Sequence, residues 1–186
     1  MKGTAQASGV IEQGFKRADD GWHVVKFDEG IDYLKNKEGE ISVTKSGDNR
    51  WKFPLVVEDE NDDNNGVRID FITQENDNGE NMVTGFLLTV GLLAAFEKNF
   101  PGDVSLFEDK VMQKIKVKMP GQFMRIKTKQ SVNKKDPDNP YVNIIAWGPM
   151  SSSVEKLEAE LFGDKKAGGA KKEEVKKEAA PADDDF

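Results

Sequence analysis

The 186-residue chain has no cysteine and one histidine, His23. The first absence excludes disulfide scaffolds, thiol nucleophiles, haem attachment and cysteine-ligated zinc. The second leaves no basis for a multi-histidine metal centre, and nothing around His23 supports a Ser-His-Asp relay. Long apolar runs are also missing. The longest, residues 86–96, is interrupted by Thr89 and Gly91 and falls short of the roughly 20 residues that cross a bilayer. Residues 1–14 are polar and lack the apolar centre of a secretory signal, so a cytoplasmic location is expected. Gly85 and Gly91 lie in a helical pattern, and there is no Walker or dinucleotide fingerprint. No acid/base carboxylate pair stands out on an apolar background. The expectation is a protein without catalytic residues or cofactors.

What the chain does have is charge: 34 Asp and Glu against 27 Lys and Arg, a net of -7. Three regions differ in character. Residues 1–20 read as a polar leader. Residues 21–162 alternate like strands around one long helical stretch. Residues 163–186 are Lys/Glu/Ala-rich and hold almost no apolar side chain before Phe186, the composition of a disordered linker.

Within the middle region, His23, Val25 and Phe27 share one face of a strand, and Trp51, Phe53, Leu55 and Val57 share another. Pro54 suggests an edge or a bulge. Residues 41–44 alternate briefly, and residues 67–73 form a further strand. Met82 to Phe100 has helical spacing and ends at Pro101-Gly102. Residues 114–119, 123–129 and 141–147 read as strands, and residues 153–162 as a short helix. Ser152 and Glu155 have capping-box spacing for that helix, and Gly163 is its stop. Strands, one helix, then strands, without a βαβ rhythm, predict a mainly β fold, an OB-like barrel with one long internal helix and a short C-terminal one.

The acids are not spread evenly. Residues 110–135 contain nine basic residues and no Asp or Glu, so the rest of the chain is more acidic than its total suggests. Read as a hairpin around Pro120-Gly121, the run places Lys114, Lys116 and Lys118 on one face and Phe123, Arg125, Lys127 and Lys129 on the matching face. Lys118 then opposes Phe123, Lys116 opposes Arg125 and Lys114 opposes Lys127, while Ile115 meets Ile126 and Val117 meets Met124. Like charges opposed in this way are destabilising unless a polyanion compensates them. The other reading is an ordinary solvated sheet face. Lys134 and Lys135 extend the run.

Phe123, inside the basic row, is the foremost stacking candidate. Single-strand binders pair a basic groove with aromatic faces, and Trp22, Trp51, Tyr141 and Trp147 supply further rings. Trp51 belongs with the core residues of its strand. Tyr141 to Trp147 is apolar on both faces, and its direction stays open.

Asp59, Asn61, Asp63, Asn65 and Asp70 have a superficial calcium-loop spacing, but Asn64 stands where the turn glycine is required and strands flank the segment. A solvated acidic turn that repels DNA is expected there. The chain closes on Asp183, Asp184, Asp185 and Phe186, an acidic tip with one aromatic on a linker of about 25 Å reach. Such a tip suits capture by a basic-rimmed apolar pocket of a partner.

Taken together, the basic row, the Gly21 to Phe27 strand, the strand around Trp51, the helix from Met82 and the acidic tip resemble phage and bacterial single-stranded DNA-binding proteins. These join an OB domain to a flexible linker and an acidic, aromatic-ended tip. The Pro that precedes the terminal Phe in many bacterial members is missing here. The resemblance implies non-enzymatic binding of single-stranded DNA in replication, recombination and repair, in a host cytoplasm if the chain is phage-encoded. It implies DNA contacts among Lys114, Lys116, Lys118, Phe123, Arg125, Lys127, Lys129, Lys134 and Lys135. It further implies recruitment of a polymerase, helicase, primase or nuclease through Asp183 to Phe186, and allows a homo-oligomer. Two alternatives stay open: a protein-protein adaptor whose basic ribbon meets an acidic partner, and a Mg²⁺-dependent nuclease built on a carboxylate cluster.

Overall fold

The computed structural model describes residues 17–167, which divide into two compact units between Ser152 and Ser153. The first holds β1 (Gly21–Phe27), β2 (Asp32–Tyr33), β3 (Arg50–Val57), β4 (Arg68–Gln74), α1 (Asp77–Thr89), α2 (Leu93–Asn99), α3 (Asp109–Lys118), β5 (Phe123–Ser131) and β6 (Tyr141–Gly148). The second holds α4 (Val154–Ala167).

All ladders are antiparallel and run β4-β3-β1-β5-β6, with the two-residue β2 sharing β3's edge beside β1. Setting β2 aside, the helices of this unit fall between the third and fourth of five strands. The fold is mainly β and compatible with an OB-like domain, as the order of elements predicts. Residues 41–44 contribute only isolated bridges, Lys35 with Ile41 and Val43 with Asn49.

Burial follows the period-2 pattern. His23, Val25 and Phe27 point inward from β1, Trp51, Phe53, Leu55 and Val57 from β3, and Met124, Ile126 and Thr128 from β5. The strands close over α1. Its Phe86 ring meets Phe27 of β1 at 5.7 Å, Phe71 of β4 at 4.8 Å and Trp147 of β6 at 5.1 Å, all edge-on. Full burial of such a side chain is worth about 1.5–3 kcal/mol. Gly85 makes the approach of β6 possible, because a Cβ there would lie 3.0 Å from the Trp147 indole.

Pro54 sits in an interior strand, contrary to the edge or bulge expected. Its carbonyl accepts from Asp28 N–H at 2.9 Å, so its missing N–H faces the gap where β1 has ended and β2 has not begun. No ladder bond is forfeited there.

The expected long helix is two helices bent by 114°. The break is at Gly91, whose φ of +76° is a left-handed conformation that stops α1. Among the described residues, no single helix is long and apolar enough to cross a membrane. In the second unit α4 runs through Gly163 rather than stopping there, and its first turn is capped by Ser153, whose Oγ accepts from Lys156 N–H at 3.3 Å, not by Ser152.

The largest correction concerns residues 114–119, which do not form a strand. Asp109 to Lys118 is helical, and Val111, Met112, Ile115 and Met119 form a buried stripe at helical spacing. Over six residues, Lys-Ile-Lys-Val-Lys-Met fits period 2, but extended back to Asp109 the apolar pattern has period 3.6. Val117, which a strand would bury beside Ile115, is 70% exposed.

Candidate nucleic-acid interface

Because residues 114–118 belong to helix α3, the opposed rows of like charge expected for a hairpin do not form, and the repulsion between them is not there. Lys114 and Lys118 are exposed on α3. Lys116 turns back to the body, where its Nζ lies 2.8 Å from Asp32 Oδ1 and 5.1 Å from the centre of the Trp51 ring. That hydrogen bond holds the Asp32 carboxyl below its ordinary range, against the opposing effect of burial.

The row on β5 does form. Its partners are β1 and β6, and its outward residues are Phe123, Arg125, Lys127 and Lys129. Across β1 the register pairs Phe123 with Lys26, Arg125 with Val24 and Lys127 with Trp22. The outward face therefore alternates rings and cations diagonally. Lys26 Nζ lies 6.0 Å from the Phe123 ring centre, and Lys127 Nζ lies 6.0 Å from that of Trp22, both at cation-π range. Phe123 is 40% exposed. Arg125 Nε donates to the Ser152 carbonyl at 3.1 Å, fixing the guanidinium on this face.

On β6 an irregularity at Lys127/Thr128 leaves Ile145 without a register partner. This settles the direction of a strand apolar on both sides: Tyr141 and Asn143 lie in the outward row with Ser131 and Lys129, while Ile144 and Trp147 pack against the core. Tyr141 is 55% exposed. Asn143 Nδ2 donates to the Ser131 hydroxyl at 2.9 Å. Lys134 and Lys135 are exposed in the β5–β6 loop, which Asn133 organises by donating to Asn139 O and accepting from Lys135 N–H.

Of the rings considered from sequence, Trp22, Phe123 and Tyr141 belong to the outward face. Trp51 and Trp147 do not. Trp51 is buried, stacked on Tyr33 at 4.0 Å, and donates its indole N–H to Glu75 Oε1 at 2.7 Å. Burial, together with the hydrogen bond to Glu75, raises the Tyr33 phenol above its ordinary range. The residue that sequence reasoning missed is Lys26. Its phase opposite His23, Val25 and Phe27 was legible, but its neighbour Phe123 lies 97 positions away and only the register joins them.

The acidic loop after β3 is more than a solvated turn. Asp62 Oδ2 lies 2.6 Å from His23 Nδ1, while His23 Nε2 lies 2.9 Å from the Asp19 carbonyl and 3.0 Å from Thr128 Oγ1. Burial pushes the Asp62 carboxyl up, but hydrogen bonds from His23 and Asn64 outweigh it and the net direction is down. Asn64 is itself buried and its Oδ1 accepts from Asp19 N–H. At the strand's end, Glu58 N–H donates to Val24 O at 2.9 Å, and the Glu58 carboxylate forms an ion pair with Lys26. Two of the loop's carboxylates thus hold protein side chains, Asp62 that of His23 and Glu58 that of Lys26, and among the described residues no three His, Asp or Glu side chains are grouped to hold a metal ion. Asp183 to Phe186 lie outside the described residues.

No family model and no curated protein matches the chain. Among solved structures it is similar to yeast RPA bound to ssDNA, at 8% sequence identity and a TM-score of 0.30, over 88% of this chain and 94% of that one.

Proposed function

We propose that the protein binds single-stranded DNA, without chemistry, on the outward face of β1, β5 and β6. The observation that carries this reading is one face on which Lys26, Arg125, Lys127 and Lys129 are interleaved with Trp22, Phe123 and Tyr141. Cations meet phosphates, and rings meet bases of any sequence. The rings favour a single strand. In a duplex each base face is covered by its stacked neighbours, whereas an unstacked base can lay its face on Trp22 or Phe123.

In this proposal the protein is phage-encoded, acts in the cytoplasm of a bacterial host, coats replication and recombination intermediates, and recruits partner proteins through Asp183 to Phe186. Fluorescence anisotropy of a labelled oligothymidine at low salt tests the binding. Salt-sensitive binding to the single strand and weaker binding to a duplex of the same length are expected. No binding, or equal preference for duplex, overturns the proposal.

A further inference from the structure

Lys26 and Glu58 share the outward face. In the β1–β3 ladder Lys26 opposes Val56, and the bond from Glu58 N–H to Val24 O continues the pairing. Glu58 is therefore the diagonal neighbour of Lys26, within reach of a long side chain. Among the described residues, the Lys26 ammonium pairs with the Glu58 carboxylate and lies 6.0 Å from the centre of the Phe123 ring. Neither member of the ion pair is deeply buried, their side chains being 33% and 46% exposed. Exposed pairs of this kind are weak and readily exchanged.

A carboxylate beside an ammonium that caps an aromatic ring has the charge arrangement of a nucleotide's phosphate at the same place. We infer that Lys26 and Phe123 form one nucleotide subsite in which Glu58 holds the place of the phosphate. On binding, a backbone phosphate displaces Glu58 from Lys26, the ammonium moves off the ring with the phosphate, and the adjoining base stacks on Phe123. The inference rests on the proposed single-strand binding and adds a residue that competes with the ligand.

The exchange makes a double-mutant signature. Glu58→Gln is expected to raise affinity for labelled oligothymidine about three- to tenfold at low salt. Because the Lys26–phosphate contact forms in both proteins, the slope of log K against log salt should change by less than the about 0.7 of one single-strand phosphate contact. Lys26→Gln should weaken binding, and in that background Glu58→Gln should give no gain. Glu60→Gln, on an exposed residue of the same loop, controls for loss of one negative charge and should change affinity less than twofold. Thermal melts of each variant establish that the fold is retained.

Wild-type binding with no change in Glu58→Gln, an equal gain in the Lys26→Gln background, or an equal gain from Glu60→Gln each overturns the inference while leaving the binding face intact. Failure of the wild type to bind the oligonucleotide overturns both.

Discussion

Lys114-Ile-Lys-Val-Lys-Met119 and Arg125-Ile-Lys-Thr-Lys-Gln130 share one acid-free run and almost one pattern, yet the first is helix α3 and the second is strand β5. In the helix, residues two apart point to nearly opposite sides. Lys114 and Lys118 are accordingly exposed, while Lys116 is turned onto Asp32 and Trp51. In the strand, residues two apart stand on one face, so Arg125, Lys127 and Lys129 align beside Phe123. A cationic alternation therefore does not make a binding surface. The element that carries it decides whether the charges gather or scatter.

The two hexapeptides differ in their surroundings. Val111 and Met112 lie upstream of the first in helical phase with Ile115 and Met119, whereas Met124 lies in strand phase with Ile126 and Thr128. The sharpest test compares Ile115 and Val117. A strand would bury both, but in α3 only Ile115 is buried. Ile115→Ala is expected to cost about 2–5 kcal/mol, and Val117→Ala no more than about 0.5 kcal/mol, both read from denaturant unfolding. Similar costs at the two positions would restore the strand.

The second comparison is functional. Replacing Arg125, Lys127 and Lys129 together by Gln should weaken binding of labelled oligothymidine on the order of ten- to a hundredfold at low salt. The salt slope should fall by about 2, from three lost phosphate contacts. Lys114→Gln with Lys118→Gln should change affinity less than threefold. Equal losses from the two sets would mean that the surface is read by total charge rather than by alignment on the strand.

Much of this was legible in sequence because it depends on local periodicity. The inward rows of β1 and β3, the outward phase of Phe123 to Lys129 and the burial of Trp51 all follow from alternation alone. What was illegible depends on contacts distant in the chain or on context wider than the motif. The hexapeptide at Lys114 satisfies two periods at once, and only residues outside it decide between them. The neighbours of β5 are β1 and β6 rather than the segment just before it, so Lys26 could not be placed beside Phe123. His23 looked like an ordinary strand residue, and its partner Asp62 lies 39 positions away in a loop whose acids suggested only solvation.

The smallest of the expected contrasts is in acid, where each hexapeptide's segment has its own carboxylate anchor. Asp62 holds His23, whose other nitrogen meets Thr128 of β5. Asp32 holds Lys116 of α3. Both carboxyls are held below their ordinary range in the folded protein. The stability each contributes is therefore complete above the unfolded carboxylate pKa, about pH 4, and is lost as pH falls through the lower folded value. The sizes should differ. The Asp62 side chain is mostly buried against a buried imidazole, whereas half of the Asp32 side chain is exposed, where an ion pair is worth about 0.2–1 kcal/mol. Asp62→Asn should lower stability at neutral pH by about 1–3 kcal/mol and flatten the fall of melting temperature below pH 4. Asp32→Asn should leave most of that fall in place. If the two variants lost stability equally and kept the same acid profile, the His23–Asp62 latch would be no stronger than a surface pair, and β5 would be fixed by its two ladders alone.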